Sequence, residues 1–113
     1  MVKLKQGDII KLDFDPQAGH EQKGRRPAIV VSNNNFNRYS KTIMVCPITH
    51  TNKNHPFHIQ LNEETTTSGV VLCDQLKTLD IFARDYDFIE KAPKDIILEI
   101  IDTINNFMET EDY

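Results

Sequence analysis

The chain has 113 residues, 39% of them hydrophobic and 27% charged, with a formal net charge of −4. That balance excludes a disordered chain, and the length is that of one domain covering residues 1–113. No apolar run approaches the ~18 residues needed to span a bilayer and no apolar leader opens the chain, so a cytoplasmic protein without membrane contacts is expected.

The charge is unevenly placed. Residues 1–55 carry nine Lys/Arg against four Asp/Glu (+5), and residues 56–113 carry four against thirteen (−9). Such asymmetry fits a polyanion-facing side, and it equally fits a mixed solvated surface.

The first element runs from Asp8 to Phe14. Ile10, Leu12 and Phe14 alternate with Lys11 and Asp13, the pattern of a half-buried strand ended by Asp15-Pro16. A polar loop follows, Gly19-His20-Glu21-Gln22-Lys23-Gly24-Arg25-Arg26. It delivers a carboxylate and two guanidiniums to the mouth of a second strand, residues 28–32, whose continuous apolar character marks it as central.

Residues 33–40, with three consecutive asparagines, are a polar connection with room for one helical turn. Strands are expected at 42–46, stopping near Pro47, at 57–61, and at 70–73 running on into Asp74-Gln75-Leu76, with a short sixth at 82–88. The period then changes. Ile96, Ile97, Ile100, Ile101, Ile104, Phe107 and Met108 recur at three and four residues, one apolar face of a helix. Pro93 suits its first turn and Asp95 its positive end. Cys46 and Cys73 lie inside apolar strands and are expected as reduced thiols packed as small hydrophobes. The sum is a small, strongly bent antiparallel sheet or barrel with one terminal helix packed on it.

Several side chains could carry chemistry. Arginine forks fit phosphate oxygens. Arg26 precedes Pro27 and is therefore held extended at a strand entrance. Arg25 beside it points the other way, so one arginine can face a ligand while the other faces solvent. Glu21 can return across the loop to Arg26, as a structural pair or as the acid–base half of a phosphoryl-transfer site. Thr49, just past the third strand, is either a turn residue or a hydroxyl that donates to a developing oxyanion. His50, His55 and His58 follow no common zinc spacing, no metal ligand set is assigned, and His58 is expected to face outward. No phosphate-cradling glycine loop, nucleophile elbow or carboxylate cluster is present. Cleavage of a nucleic acid by this chain would therefore use the RNA 2′-hydroxyl, already held near its phosphorus, and no cofactor.

In their order and spacing, Gly7-Asp8-Ile9, Phe14-Asp15-Pro16, Gly19 with Glu21-Gln22, Gly24 with Arg26-Pro27-Ala28, Pro47-Ile48-Thr49, and Asp74-Gln75 followed by Leu79-Asp80 are similar to the MazF/PemK toxins of bacterial toxin–antitoxin systems. The resemblance covers nearly the whole chain. It implies an SH3-like bent antiparallel barrel with a C-terminal helix, acting as a homodimer. It implies a metal-independent endoribonuclease that cuts single-stranded mRNA at a short sequence, leaving a 2′,3′-cyclic phosphate (or 3′-phosphate) and a 5′-hydroxyl. It implies catalytic roles for Arg26, Thr49 and Glu21, and a base contact by Gln75, with Asn37 near another; Gln22, Arg25 and Phe57 are further candidate RNA contacts by their chemistry, without a role implied by the family. A cognate antitoxin with a disordered acidic tail is the implied protein partner. His20 replaces the small residue usual before Glu-Gln, and Arg25 occupies a variable position. The competing reading within the same fold is a non-enzymatic toxin that poisons DNA gyrase by protein contact.

Overall fold

The computed structural model describes residues 3–14, 25–50 and 55–112. Its strands are β1 (Asp8–Asp13), β2 (Arg25–Val30), β3 (Ile43–Thr49), β4 (His58–Gln60), β5 (Val70–Leu72), β6 (Lys77–Leu79) and β7 (Tyr86–Lys91). The helices are α1 (Asn34–Ser40) and α2 (Lys94–Phe107), with short 3₁₀ turns at Cys73–Gln75 and Ile81–Ala83. All pairings are antiparallel, in the order β4-β5-β3-β2-β1-β7, with β6 also on β3.

The sheet bends at β3. Residues Ile43 to Val45 pair with β6, whereas Ile48 and Thr49 pair with β5 on the same edge. The change of partner falls at Cys46-Pro47. Proline has no N–H to give a ladder, so at this break it forfeits no bond. That is why β3 runs through Pro47 to Thr49 instead of stopping there. Strands β4 and β7 end the ladder, which makes a bent, open antiparallel sheet with a C-terminal helix.

Both faces of the sheet are covered. One carries Ile9, Ile29, Cys46, Ile48 and Val71 against Ile96, Ile97 and Ile100 of α2. The other carries Ile10, Leu12, Ala28, Val30, Ile43 and Val45 beneath Leu4, Leu79 and Ile81. Two-sided burial accounts for the unbroken apolar runs of β2 and β3. Each of the three α2 isoleucines contributes about 1.5–3 kcal/mol by leaving water. Ile101, Ile104 and Phe107 pack partly against the same core, but Met108 caps the helix and is exposed.

Other boundaries differ from expectation for local reasons. Helix α1 forms because the Asn33 side chain accepts the Phe36 N–H at 2.9 Å, and it ends at Lys41 in the left-handed region (φ 64°). Strand β2 starts at Arg25, three residues before its apolar run. The stretch after Leu72 turns as a 3₁₀ helix and then pairs as β6, which is three residues long and has one buried side chain. The last strand lies at 86–91 because residues 81–83 form a turn, capped when the Asp80 side chain accepts the Phe82 N–H.

Candidate nucleic-acid cleft

Arg26 and Thr49 come from neighbouring strands. Strand β2 pairs with β3 at Ile29↔Cys46 and Ala28↔Pro47. Two residues further in the same register, Arg26 lies across from Thr49. Both line a cavity of about 760 Å³ together with Lys11, Arg25, Pro27, Ile48, His50, Thr66, Thr67, Ser68 and Ile89. On its other side Thr49 pairs with Val70 of β5. Gly69 precedes Val70 with φ +124°, and a Cβ there would fall within 3.0 Å of the Thr49 carbonyl oxygen. Only glycine allows that approach, so it fixes the backbone that carries Thr49.

The two arginines are treated differently. Arg25 Nη1 donates to an Asp87 carboxylate oxygen, and Nη2 lies 4.0 Å from Asp85, both contributed by or next to β7. Its charge is matched at the rim of the cleft instead of pointing away from it. Arg26, held in β2 by Pro27 and opposite Leu12 of β1, has no acidic partner among the described residues. Lys11, on β1 opposite Pro27, has none either.

The opposite wall is built by Thr66, Thr67 and Ser68, and Glu90 of β7 holds it in place. The Glu90 carboxylate accepts the Thr66 N–H at 3.0 Å, the Thr67 N–H at 2.7 Å and the Thr67 hydroxyl at 2.8 Å. Burial alone would raise this carboxyl, but the three hydrogen bonds outweigh it and hold Glu90 below the usual carboxylate range. Sequence reading missed both Glu90 and the Thr66–Ser68 wall. The partners are more than twenty residues apart, and the only local signal was the hydroxyl-rich run before Gly69.

The remaining candidates lie elsewhere. Glu21 and Gln22, with His20 and the flanking glycines, fall outside the described residues. Asn37 does not reach the cleft. It is buried, its amide donates to the Leu4 and Ser32 carbonyls at 3.3 and 3.2 Å, and its Oδ1 accepts from the Ser32 hydroxyl. A base contact by Asn37 is corrected to a structural role, since all of its amide valences face inward. Phe57 and Gln75 are exposed but outside the cavity lining. Phe57 meets Phe107 edge-on at 4.5 Å, and Gln75 ends the 3₁₀ turn beside Asp74.

His58 does not face outward. Its Nε2 is bonded to Asp74 at 3.2 Å, its ring stacks on His55 at 4.6 Å, and its Nδ1 is buried. His50 lines the cleft instead. Among the described residues no three His, Cys, Asp or Glu side chains form a group able to hold a metal. Cys46 and Cys73 are buried free cysteines. Donating its S–H to Cys73, and then burial, push the Cys46 thiol well above its ordinary range, so it packs as an uncharged group. Among the described residues no helix is long and apolar enough to cross a membrane.

Known proteins share this fold. Residues 5–108 match the model of the PemK-like, MazF-like toxins of type II toxin–antitoxin systems. The chain is 33% identical over 109 residues to the endoribonuclease PemK of Escherichia coli, covering 93% of this chain and 82% of that protein. It is 40% identical over 78 residues to the endoribonuclease toxin MazF of Escherichia coli K12, covering 69% of each. Among solved structures it resembles MazF from Deinococcus radiodurans (Form-I) with TM-score 0.81 and 35% identity, over 96% of this chain and 98% of that one. A MazE–MazF structure from the same organism (Form-II) aligns with TM-score 0.81 and 28% identity, over 98% of this chain and 100% of the other.

Proposed function

The chain belongs to the PemK-like, MazF-like family of type II toxins, and from that premise we propose that it is an endoribonuclease cutting single-stranded mRNA at a short specific sequence without metal. The observation that carries the reading is the placement of Arg26 and Thr49 in one cation-lined cleft, with no carboxylate opposing Arg26 among the described residues. In the proposed step the substrate's 2′-oxygen attacks phosphorus and the bond to the 5′-oxygen breaks. The products are a 2′,3′-cyclic phosphate (or, after hydrolysis, a 3′-phosphate) and a 5′-hydroxyl.

Arg26 stabilises the charge on the five-coordinate phosphorane, and the Thr49 hydroxyl donates to one of its oxygens. A guanidinium with a pKa above ~12 surrenders its proton reluctantly, so the 2′-hydroxyl proton goes to a carboxylate, Glu21 or a water it orders. The leaving 5′-oxygen is then protonated late, from Arg26 or solvent. Bases splayed out of the strand are read on their edges, with Gln75, Gln22 and Phe57 as the candidate contacts. The acting form is a homodimer, neutralised by an antitoxin whose disordered acidic tail competes for the same cations. Kinship to a toxin solved together with MazE supports that partner.

The test is cleavage of a single-stranded RNA in EDTA beside its all-deoxy counterpart. We expect the RNA to be cut and the DNA to survive. Arg26→Ala and Thr49→Ala are expected to lower kcat by at least ~100-fold, the scale of losing one oxyanion donor, with circular dichroism unchanged. Cleavage of the DNA, a strict need for metal, or full activity of Arg26→Ala overturns the proposal.

A further inference from the structure

We infer that Lys11 and the facing Thr66–Ser68 wall form a second phosphate position, which holds a phosphodiester next to the one being cut. The inference rests on the RNA-cutting reading of this cleft and adds a subsite to it. The cavity, about 760 Å³, is far larger than a single phosphate group needs and lies within the range of sites that bury a whole ligand.

Among the described residues three cations line the cavity, and they are not equivalent. Arg25 is matched by Asp87, and Arg26 stands across from Thr49 at the proposed scissile phosphate. Lys11 is left without an acidic partner among the described residues. It is an exposed lysine in the middle of a strand, between the fully buried Ile10 and Leu12. Its register partners are Pro27 on β2 and Asp87 on β7, whose carboxylate Arg25 already engages, and it sits one strand over and one residue along from Arg26. By alternation Lys11 shares the face of Pro27 and Arg26 that of Leu12, yet both line the one cavity, so the two cations reach it on separate stems. The lysine stem can lie along Pro27, Ile48 and Ile89 while its ammonium stays in the opening.

The far wall suits the same ligand. Serine and threonine hydroxyls are, with Arg and Lys, among the groups that contact the sugar–phosphate backbone in nucleic-acid complexes. Here Thr66 and Ser68 face the cavity on a segment that Glu90 keeps in place through Thr66 and Thr67. The nearby carboxylates are already engaged, Asp87 by Arg25 and Glu90 by Thr66 and Thr67, so an ammonium with no ion pair of its own, facing hydroxyls in a cavity it shares with a second cation, is a site for an anion brought by the substrate. In a strand of RNA the anion within reach of one phosphate is the next phosphate.

The experiment uses the full chain, its Lys11→Gln and Lys11→Arg variants, and RNA oligonucleotides in which one linkage at a time is a neutral methylphosphonate. Binding is read by fluorescence anisotropy on strands carrying a 2′-deoxy nucleotide at the cut site, and cutting is read on unmodified RNA. We expect Lys11→Gln to weaken binding about tenfold, as loss of a charge-assisted hydrogen bond does, with kcat within twofold. The slope of log affinity against log salt should fall by about 0.7, the single-strand value for one phosphate contact. Lys11→Arg should restore both. At one flanking linkage the methylphosphonate should weaken wild type as much as Lys11→Gln does, and weaken Lys11→Gln no further. Equal losses for wild type and Lys11→Gln at every linkage, or an unchanged salt slope, overturn the subsite. If binding shows this pattern and RNA is not cut, the subsite stands and the catalytic reading falls. If RNA is cut and Lys11→Gln behaves as wild type, only the subsite falls.

Discussion

Gly69→Ala tests whether the strand crossing at Thr49 sets the chemistry. The new methyl meets two costs. At φ +124° an L side chain is strained, typically by 1–3 kcal/mol. The Cβ also lands within 3.0 Å of the Thr49 carbonyl oxygen, 3.1 Å from its carbonyl carbon and 3.3 Å from Ile48 Cγ2. These are backbone and core atoms, so relief requires β3 to retreat by several tenths of an ångström. Overpacking of that kind adds about 1–3 kcal/mol, and the sum, roughly 2–6 kcal/mol, is a large share of an ordinary domain's ~5–15 kcal/mol. The displaced atoms carry Thr49, and misplacing a reacting group by about 1 Å can lower a rate ~100-fold. We expect a melting temperature about 10 °C or more below wild type and, well below that temperature, kcat reduced roughly tenfold or more by the same positional sensitivity. Gly7→Ala is the control. Its φ is +95°, but the nearest atoms to a Cβ are Ile97 Cγ1 and the flexible Lys91 stem, at 3.5 Å. It should lose only about 1–3 kcal/mol to strain and keep its kcat. Calorimetry and single-turnover cleavage measure both effects. A Gly69→Ala protein that melts within ~2 °C of wild type and cuts at the wild-type rate refutes the account of Thr49.

Two further expectations follow from the same contacts. Asn37→Ala strands the Ser32 hydroxyl and the Leu4 and Ser32 carbonyls. It should lower stability in urea by about 1–3 kcal/mol while leaving RNA affinity of the folded fraction unchanged; a selective loss of affinity would return Asn37 to the binding surface. Glu90, whose folded value is depressed, contributes stability that is fully present above its ordinary 4.5 and is lost as pH falls through the folded value. The melting-temperature advantage of wild type over Glu90→Gln should therefore be constant near neutrality and shrink below pH 4.5, and a gap undiminished by acid would rule out the carboxylate as the clamp.

What could be read from sequence was whatever repeats locally. The α2 face declared itself through seven apolar positions at helical spacing, and only Met108, one residue past the last turn, was misplaced. The extended Arg26-Pro27 and the hydroxyl at the end of the third strand were also legible, since each follows from its neighbours. Strand β6 was not legible: three residues with one buried side chain show no alternation. Asn37 and Glu90 were illegible for a different reason. An asparagine in a polar run gives no sign that its amide will meet the Leu4 carbonyl, 33 positions away, and Glu90 has meaning only once β7 lies beside the 66–68 wall.

The acidic second half of the chain, a poor sign for a nucleic-acid partner when taken as a total, has a spatial logic in the fold. Asp85 and Asp87 stand on the β7 side and engage Arg25, whereas Arg26 and Lys11, on β2 and β1, have no such partner among the described residues. Acids at one rim repel a phosphate backbone from that rim. Two adjacent arginines on one strand thus part company through their neighbours: Arg25 meets Asp85 and Asp87 at the rim, and Arg26, across from Thr49, has no acidic partner among the described residues. The same division explains why a chain of net charge −4 can offer a polyanion a cationic cleft without being basic overall.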